Sequence, residues 1–148
     1  MRTRNRVEVM HGVNLDQLGR RPASHYGDLS FDRLELRVSD YAKDLGLQVR
    51  FFQTNAEHEF VEHLHRLEGL ADAIVMNPGA WTHYAWAIRD ALEIAALPTV
   101  EVHLSDVDAR EEWRRLSVVR ELCVATVTGQ GVEGYRAALQ RVKEELDG

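Results

Sequence analysis

The feature that most constrains the fold of this chain is an alternation of short apolar runs with longer segments of helical periodicity. The apolar runs are of strand length and cover residues 7–10, 47–52, 71–76, 98–103 and 122–127. Between them, apolar residues recur at the three- and four-residue spacing of an amphipathic helix. Strands that alternate with helices pair in parallel, because a parallel connection needs a crossover long enough to hold a helix. The alternation therefore predicts an α/β fold.

The helical segments carry end signals that place them between the strands. Ser30 is a predicted N-cap and Gly46 a predicted stop for a helix over 30–45, and Thr54 begins a capping-box pattern. Further helices are expected from Thr82, at about 108–116 and after Gly129-Gln-Gly131. At this chain length, five strands with helices on both faces predict a flavodoxin-like, doubly wound parallel sheet.

Length and composition exclude several classes of protein. The 148 residues fit one domain, with residues 1–5 expected as a flexible basic tail. No stretch approaches the roughly 18 consecutive apolar residues of a membrane helix, and no secretory signal is recognisable, so we expect a cytoplasmic protein. The net charge of -6 disfavours a nucleic-acid surface, and the single cysteine, Cys123, excludes a disulfide framework or a multi-thiolate zinc site.

In a doubly wound sheet, ligands bind beyond the carboxyl ends of the strands, here the segments after Met10, Met76 and Val102. Residues 12–30 follow the first strand without periodicity, which is typical of a lid or binding loop. Two arginines lie five and six residues before Tyr26. A guanidinium near a phenol favours the phenolate, which is a competent general base. The alternative is a solvated basic loop in which Tyr26 only packs.

The other two strand ends also carry polar groups. Residues 77–83 combine an amide, a tight turn and a helix start, which suit an anionic or polyhydroxylated ligand; the alternative is a plain turn with His83 as a surface cap. Glu101 and His103 share one face of a strand, so the carboxylate can fix the tautomer of a general acid. Ser105 could help to hold a carboxylate. The alternative is an isolated polar pair at a strand end.

Three other features are interpreted as structural. His58, His63 and His65 lie on a predicted helix without the i,i+4 histidine pair of a zinc motif, and we expect them at the surface. Gly129-Gln-Gly131 lacks the dinucleotide-binding spacing and is interpreted as a turn. Cys123 falls in a predicted buried strand and is expected to be unreactive.

The segments described above resemble the type II 3-dehydroquinate dehydratase family over nearly the whole chain after the basic tail. The most specific element is Glu101-Val-His-Leu-Ser105, with Ala109-Arg-Glu-Glu-Trp-Arg114 downstream. Further matching motifs are Asn14-Leu15, Leu18-Gly-X-Arg21 with Tyr26-Gly27, Gln53-Thr-Asn55 with Glu57, residues 77–83, residues 87–92 and residues 131–135.

The resemblance implies a hydro-lyase that removes water from 3-dehydroquinate by anti elimination through an enolate, without metal or cofactor. It implies that Tyr26 is the base, that Arg21 holds Tyr26 as a phenolate, and that Asn14 positions the water or dipole that stabilises the enolate oxygen. It also implies that His103, oriented by Glu101, protonates the departing hydroxyl.

The remaining family positions are implied to bind substrate. The carboxylate is expected at Asn77, at Ser105 and at the backbone N–H of Leu104, and the ring hydroxyls at His83 and Arg114.

The resemblance also implies an assembly and a metabolic setting. Asp90 matches a family aspartate that reaches the active site of a neighbouring subunit, in a dodecamer built from trimers. The pathway would be the shikimate pathway of aromatic amino acid biosynthesis or quinate catabolism.

Several neighbours of the catalytic positions depart from the family. His11 and Asp106 stand where the family commonly has Asn, His58 replaces a frequent Gly, and Asp108 replaces a common His. A carboxylate at Asp106 would repel an anionic substrate if it faced the site. We expect it to turn outward, to an arginine such as Arg110, because alternate residues of a strand face opposite sides. The departures leave open a homologue with another polyhydroxylated acid as substrate or with weak activity.

Other protein classes fit less well. Lys43 and Lys143 are the only lysines and lie on polar parts of predicted helices, which disfavours Schiff-base chemistry. A receiver domain would need acidic residues after the first strand and an aspartate ending the third, where this chain has His11 and Asn77. A flavin-binding module would need a Ser-, Thr- and Gly-rich loop after the first strand.

Overall fold

The computed structural model describes residues 3–148. Within that range the strands are β1 Arg6–His11, β2 Gln48–Gln53, β3 Ala73–Asn77, β4 Thr99–Val102 and β5 Ala125–Val127. The α-helices in the same range are α1 Ala23–Tyr26, α2 Phe31–Asp44, α3 Glu57–His65, α4 Trp86–Ala95 and α5 Glu133–Asp147. None of these helices is long and apolar enough to cross a membrane.

The five strands form one parallel sheet in the order β2-β1-β3-β4-β5. The chain builds outward from β1 in one direction to β2 and then in the other through β3, β4 and β5. This is the doubly wound, flavodoxin-like topology, so the fold predicted from the alternation is confirmed. The carboxyl ends of β1, β3 and β4 meet at one edge, where the strand order reverses.

Two apolar cores lie on opposite faces of the sheet. Val7 and Val9 of β1 face the side covered by α2 and α5, while Met10 faces the side covered by α3 and α4. The alternation of these neighbours follows from the two-residue side-chain period of a strand. Every residue of the central strand β3 is buried, as expected for a strand covered on both faces.

Some helix ends agree with the sequence signals and others do not. Ser30 Oγ accepts a hydrogen bond from the Arg33 backbone N–H at the start of α2, as predicted for an N-cap. The predicted capping box at Thr54 is wrong, because Thr54 Oγ1 accepts from Ala56 N and α3 begins only at Glu57. Thr82 does not cap α4 either, since it lies within a 3-10 helix over Gly79–His83.

The segment after β4 differs most from the prediction. In place of one helix at about 108–116 there are two 3-10 helices, Val107–Ala109 and Glu112–Arg115. The Asp106 carboxylate accepts from Asp108 N, which stabilises the first of these tight turns. Strand β5 is also shorter than predicted, because a 3-10 helix over Arg120–Leu122 occupies the beginning of that apolar run.

These changes move Cys123 out of the predicted strand. Cys123 follows the 3-10 helix, is half-buried, and donates its thiol to the carbonyl of Val119. Burial, with the nearby Glu101 carboxylate, raises the pKa of the Cys123 thiol to about 12. A thiol held protonated in this way is a poor nucleophile.

His63 is not the surface residue that was expected. Its ring stacks on Phe52 with centroids 3.8 Å apart, and its Nε2 lies 2.6 Å from Glu8 Oε2. Glu8 is buried in the sheet and also pairs with Arg50 at 2.9 Å. A buried carboxylate needs such partners, and this explains why the histidine turns inward.

The basic tail predicted for residues 1–5 falls partly outside the described residues, which begin at Thr3. Asn5 is held to the body of the domain. Its backbone N–H donates to Asp72 Oδ2 at 3.1 Å, and its carbonyl accepts from Gln48 N at 2.8 Å. The chain is therefore fixed to the domain already at Asn5, before β1 begins.

Candidate active site

A cavity of about 180 Å³ lies beyond the carboxyl ends of β1, β3 and β4, where the doubly wound topology places ligands. Its lining comes from the loop after β1, from the ends of β3 and β4, and from the segment that follows β4. The lining residues are Val13, Asn14, Leu15, Arg21, Tyr26, Asn77, Gly79, Ala80, His83, His103, Leu104, Ser105, Val107, Arg110 and Arg114. All the site residues predicted from the sequence are among them except Glu101 and Asp90.

Tyr26 stands between two arginines. Arg21 Nη2 donates to Tyr26 Oη at 2.7 Å, and the Arg21 guanidinium lies 3.8 Å from the centre of the phenol ring. Arg110 Nη1 donates to the same oxygen at 2.5 Å. Two positively charged donors on one phenol oxygen stabilise negative charge there. The solvated-loop alternative for this segment does not fit such an arrangement.

Arg110 is the functional residue that the sequence analysis missed. It was offered only as an outward partner for Asp106, but its side chain turns inward to Tyr26 and also lies 3.4 Å from Ser105 Oγ. Asp106 is exposed, as expected, yet its carboxylate accepts from Asp108 N. The one sequence feature that could have indicated a role for Arg110 is its place within the 109–114 motif. No local pattern predicts contact between an arginine and a tyrosine that is distant in the sequence.

Asn14 has an unusual backbone conformation near the start of the loop that follows β1. Its φ of 69° lies in the left-handed region, which asparagine tolerates better than most residues. The Asn14 backbone N–H donates to Asn55 Oδ1 at 2.8 Å, and Asn55 Nδ2 donates to Asp16 Oδ2 at 3.1 Å. Asn55 therefore ties the end of β2 to the loop and fixes where Asn14 meets the cavity.

Glu101 and His103 form a buried pair at the end of β4. His103 Nε2 lies 2.6 Å from Glu101 Oε2, and the carboxylate also accepts from Thr82 Oγ1 at 2.5 Å and from Ser117 Oγ at 2.8 Å. Burial alone would raise the pKa of Glu101, but the hydrogen bonds from His103, Thr82 and Ser117 outweigh it and lower the pKa. Glu101 is thus an anion behind His103, and Nδ1 is the ring nitrogen available to a ligand.

His83 is set as a neutral hydrogen-bonding group. Burial lowers the pKa of His83, and the neighbouring His103 and Arg114 lower it further, against the hydrogen bond to Leu116. The Leu116 carbonyl, 2.7 Å from Nδ1, can only accept a hydrogen bond, so Nδ1 carries the hydrogen. Nε2 is then an acceptor suited to a ligand hydroxyl. The alternative interpretation of His83 as a surface helix cap does not fit this buried, cavity-lining position.

The turn predicted after β5, residues 129–131, is hydrogen-bonded to the segment that follows β4. Gly131 N donates to the Leu104 carbonyl at 3.2 Å, and Gly129 N donates to the Ser105 carbonyl at 3.0 Å. These bonds hold the Leu104–Ser105 backbone at the cavity wall. Gly129 and Gly131 therefore support the site and do not form a phosphate-binding loop.

Two of the predicted site residues, Glu101 and Asp90, do not line the cavity. Glu101 lies behind His103 and contacts the cavity only through it. Asp90 is exposed on α4 and does not line the cavity. Across residues 3–148, no group of three or more His, Cys, Asp or Glu side chains is arranged to hold a metal ion.

Comparison with known proteins agrees with this geometry. The family model described as dehydroquinase class II matches residues 5–143. The 3-dehydroquinate dehydratase of Thermotoga maritima is 45% identical over 142 residues, which cover 96% of this chain and 97% of the relative. The chain belongs to the class II dehydroquinase family. The family resemblance and the hydro-lyase class predicted from the sequence are thereby confirmed.

Solved structures of the family superpose closely on the chain. The type II dehydroquinase from Butyrivibrio crossotus DSM 2876 has a TM-score of 0.90 at 34% identity, covering 99% of this chain and 100% of its own. The type II dehydroquinase from Propionibacterium acnes also has a TM-score of 0.90, at 37% identity, covering 97% of this chain and 99% of its own. The dehydroquinase fold therefore extends over essentially the whole chain.

Proposed function

We propose that this chain is a 3-dehydroquinate dehydratase that removes water by anti elimination through an enolate. The observation that carries the proposal is one cavity that holds both a phenol oxygen bonded to two arginines and a carboxylate-backed imidazole. Tyr26 receives hydrogen bonds from Arg21 and Arg110, and His103 is backed by Glu101. An elimination needs a base and an acid, and these two groups supply them.

Proton removal is assigned to Tyr26. Its phenolate takes a proton from the carbon next to the ketone of 3-dehydroquinate. The C–H electron pair forms a carbon–carbon double bond, and the carbonyl π pair moves to the ketone oxygen to give the enolate. Asn14, fixed by Asn55, is suited to position the dipole or water that stabilises this oxygen. The positive charges of Arg21 and Arg110, both hydrogen-bonded to the Tyr26 oxygen, stabilise negative charge on it.

Departure of the hydroxyl is assigned to His103. The enolate collapses, the carbon–oxygen bond to the hydroxyl breaks, and His103 supplies the proton with which the hydroxyl leaves as water. Glu101 stabilises the imidazolium before transfer and holds the ring in place. Tyr26 then loses its proton to solvent and His103 regains one, so the enzyme returns to its starting state.

Substrate binding uses the rest of the cavity wall. The carboxylate is assigned to Asn77, Ser105 and the backbone N–H of Leu104, and the ring hydroxyls to His83 and Arg114. Asp106 is exposed and does not line the cavity, so its negative charge lies outside the carboxylate subsite. The departure at Asp106 is therefore compatible with an anionic substrate.

The scheme uses side chains and a backbone N–H of the enzyme, with a dipole or water at the enolate oxygen, and requires no cofactor. Lys43 is exposed on α2, and Lys143 lies on α5, 3.2 Å from Asp147. Neither lysine lines the cavity, and a Schiff-base route needs a desolvated lysine at the reacting carbon. The enolate route is therefore favoured over an imine.

The proposal extends to the assembly. Trp86, Asp90 and Ile94 are spaced four residues apart on α4, so they share one exposed face. Trp86 is 59% and Ile94 is 69% exposed, which leaves a large apolar surface for a partner. We assign this face to contact between copies of the chain, with Asp90 completing the cavity of a neighbour in a dodecamer of trimers.

The cytoplasmic location and the shikimate or quinate pathway stay predictions from the sequence and its resemblance. Neither changes the chemistry assigned to the cavity, because both pathways use the same dehydration.

The experiment that tests the function is turnover of 3-dehydroquinate, followed by the ultraviolet absorbance of the conjugated enone product. Borohydride added with the substrate distinguishes the routes, because it reduces and traps an imine. We expect enone formation and no covalent adduct. An adduct on Lys43 or Lys143 would replace the enolate route with an imine route, and turnover only of another polyhydroxylated acid would change the substrate.

A further inference from the structure

His11, Tyr135 and Asn77 form a buried chain of polar groups directly behind the carboxylate subsite. His11 ends β1 and is paired in register with Asn77, which ends β3. Tyr135 comes from α5, and its hydroxyl lies 2.8 Å from His11 Nε2 and 3.2 Å from Asn77 Nδ2. His11 and Tyr135 are completely buried and Asn77 is 3% exposed. The scheme proposed above uses only Asn77 of the three.

The direction of the hydrogen bonds follows from the chemistry of the groups. Gly79 N donates to Asn77 Oδ1 at 3.1 Å, which fixes the carbonyl side of the amide. Asn77 Nδ2 therefore donates to the phenol oxygen of Tyr135. A phenol that accepts from Asn77 still has one hydrogen to donate, and we assign that hydrogen to His11 Nε2, 2.8 Å away. Each group in this chain donates in the same direction, an arrangement in which hydrogen bonds strengthen one another.

His11 is suited only to accept from Tyr135. Complete burial lowers the pKa of His11 to about 3, so the ring is neutral at neutral pH. Nδ1 is buried and has no hydrogen-bond partner among residues 3–148. The ring therefore has one polar contact in the described chain, and that contact leads through Tyr135 to Asn77.

An asparagine amide has two N–H groups, and Tyr135 takes one of them. The other is the one available to the cavity that Asn77 lines. Without the Tyr135 oxygen, the Gly79 N–H alone would hold the amide, and an amide that rotates past this single bond presents its carbonyl oxygen to the carboxylate and repels it. The orientation of the amide thus decides whether this wall attracts or repels an anion.

We propose that His11 and Tyr135 are positioning residues that hold the Asn77 amide with an N–H directed at the substrate carboxylate. This inference rests on the proposed function, because it names the part of that site that sets affinity for the anionic group. It also gives the His11 departure from the family a role, since the histidine supplies the acceptor at the end of the chain.

The test is a double-mutant cycle with 3-dehydroquinate as substrate, comparing wild type, Tyr135→Phe, Asn77→Ala and the double variant. Tyr135→Phe keeps the buried ring and loses only the hydroxyl. We expect KM to rise about three- to tenfold in Tyr135→Phe, the effect of leaving one side chain unordered, with kcat within about twofold of wild type. In the Asn77→Ala background, Tyr135→Phe should leave KM unchanged, because the amide it orients is gone.

Tyr41→Phe is the matched control. Tyr41 belongs to the same apolar core, and its hydroxyl donates to Glu133 at 3.0 Å, outside the cavity lining. It should show wild-type KM and kcat. If Tyr135→Phe does not fold by circular dichroism, His11→Leu takes its place in the cycle, with a smaller expected rise in KM of about two- to threefold, because the Tyr135 oxygen remains but loses the acceptor that orients it.

The outcomes separate the inference from the function. An active wild type with a wild-type KM in Tyr135→Phe overturns the inference alone, and so do equal effects of Tyr135→Phe with and without Asn77. A loss of kcat without a change in KM also overturns it, because that result indicates a general structural role. A wild type that does not turn over 3-dehydroquinate overturns the proposed function, and the inference with it.

Discussion

At the scale of single residues, the convergence of Arg21 and Arg110 on one phenol oxygen dominates the candidate site. The two donors lie 2.7 Å and 2.5 Å from Tyr26 Oη. Arg21 comes from the same loop as Tyr26, whereas Arg110 comes from the segment after β4. In the proposed mechanism, the phenolate of Tyr26 is therefore stabilised by two parts of the chain that only the fold brings together.

Arg110→Ala is predicted to lower kcat by about 10²-fold, since it removes one of the charged donors that stabilise the phenolate. Arg110→Lys keeps the charge but loses the guanidinium geometry, and its kcat should lie between those of wild type and Arg110→Ala. Arg20→Ala is the control, because Arg20 is exposed and contacts Gln17. Steady-state rates at pH 7 measure all three, and an Arg110→Ala variant as active as Arg20→Ala would remove Arg110 from the mechanism.

His11 gives a second prediction at this scale, on stability against pH. Its pKa is lowered from 6.5 in the unfolded chain to about 3 in the fold, so below pH 6.5 only the unfolded chain gains the proton. Stability therefore falls as pH drops from 6.5 towards 3, by about 2 kcal/mol at pH 5 from this group. His11→Asn should lack that contribution.

Urea unfolding of wild type and His11→Asn at pH 7 and pH 5 measures the effect. The wild type should lose more unfolding free energy between the two pH values than the variant does. Equal losses would show that His11 is protonated in the folded state or accessible to solvent.

At the scale of elements, the sequence predicted the repeating parts well and the irregular parts poorly. The alternation of strands and helices follows from local periodicity, and the Ser30 cap follows from a short hydrogen bond within one turn. The segment 107–115 lacks that regularity. Its two 3-10 helices are separated at Arg110, whose side chain is bonded to Tyr26, a contact that no local pattern encodes.

The same division applies to the site. The rule that ligands bind at the carboxyl ends of parallel strands located the cavity, and the resemblance located most of its lining. Arg110, and the contacts of His11 with Tyr135, depend on segments far apart in the sequence. Such contacts are set by packing of whole elements, so they become visible only in the structure.

Gly12 provides a prediction about how two loops fit together. A methyl group there would lie 2.6 Å from the Pro78 carbonyl carbon and 2.8 Å from the Trp81 ring, so the loops after β1 and β3 would have to separate. Gly12→Ala should lower the free energy of unfolding by about 3 kcal/mol. Activity should fall as well, because both loops line the cavity.

Gly69→Ala is the control for backbone strain alone. Gly69 has a φ of +77° and open space around its Cα, so alanine there should cost about 1 kcal/mol. Urea unfolding compares the two variants. A Gly12→Ala variant no less stable than Gly69→Ala would mean that the two loops adjust without strain.

At the scale of the whole molecule, the exposed apolar face of α4 is the feature that a single copy of the chain leaves uncovered. The two cores on either side of the sheet account for folding of a single copy. They do not explain why Trp86 and Ile94 are exposed beside Asp90. A partner copy that covers this face would explain both the apolar surface and the position of Asp90 away from its own cavity.

Ile94→Glu is predicted to dissociate a large oligomer into folded subunits and to lower activity in parallel. Leu36→Glu is the control, because Leu36 is 68% exposed on α2, comparable to Ile94 at 69%. Light scattering gives the mass and circular dichroism the folded state. A folded Ile94→Glu monomer with full activity would contradict the assignment of Asp90 to a neighbour's site.

The most direct measurement of the central claim is the initial rate of enone formation from 3-dehydroquinate by wild type and Tyr26→Phe, side by side. The variant keeps the aromatic ring and loses only the oxygen that Arg21 and Arg110 contact. The wild type should form the enone, and Tyr26→Phe should be slower by about 10²–10⁴-fold while still binding substrate. No enone from the wild type, or a near-wild-type rate from Tyr26→Phe, would contradict the account.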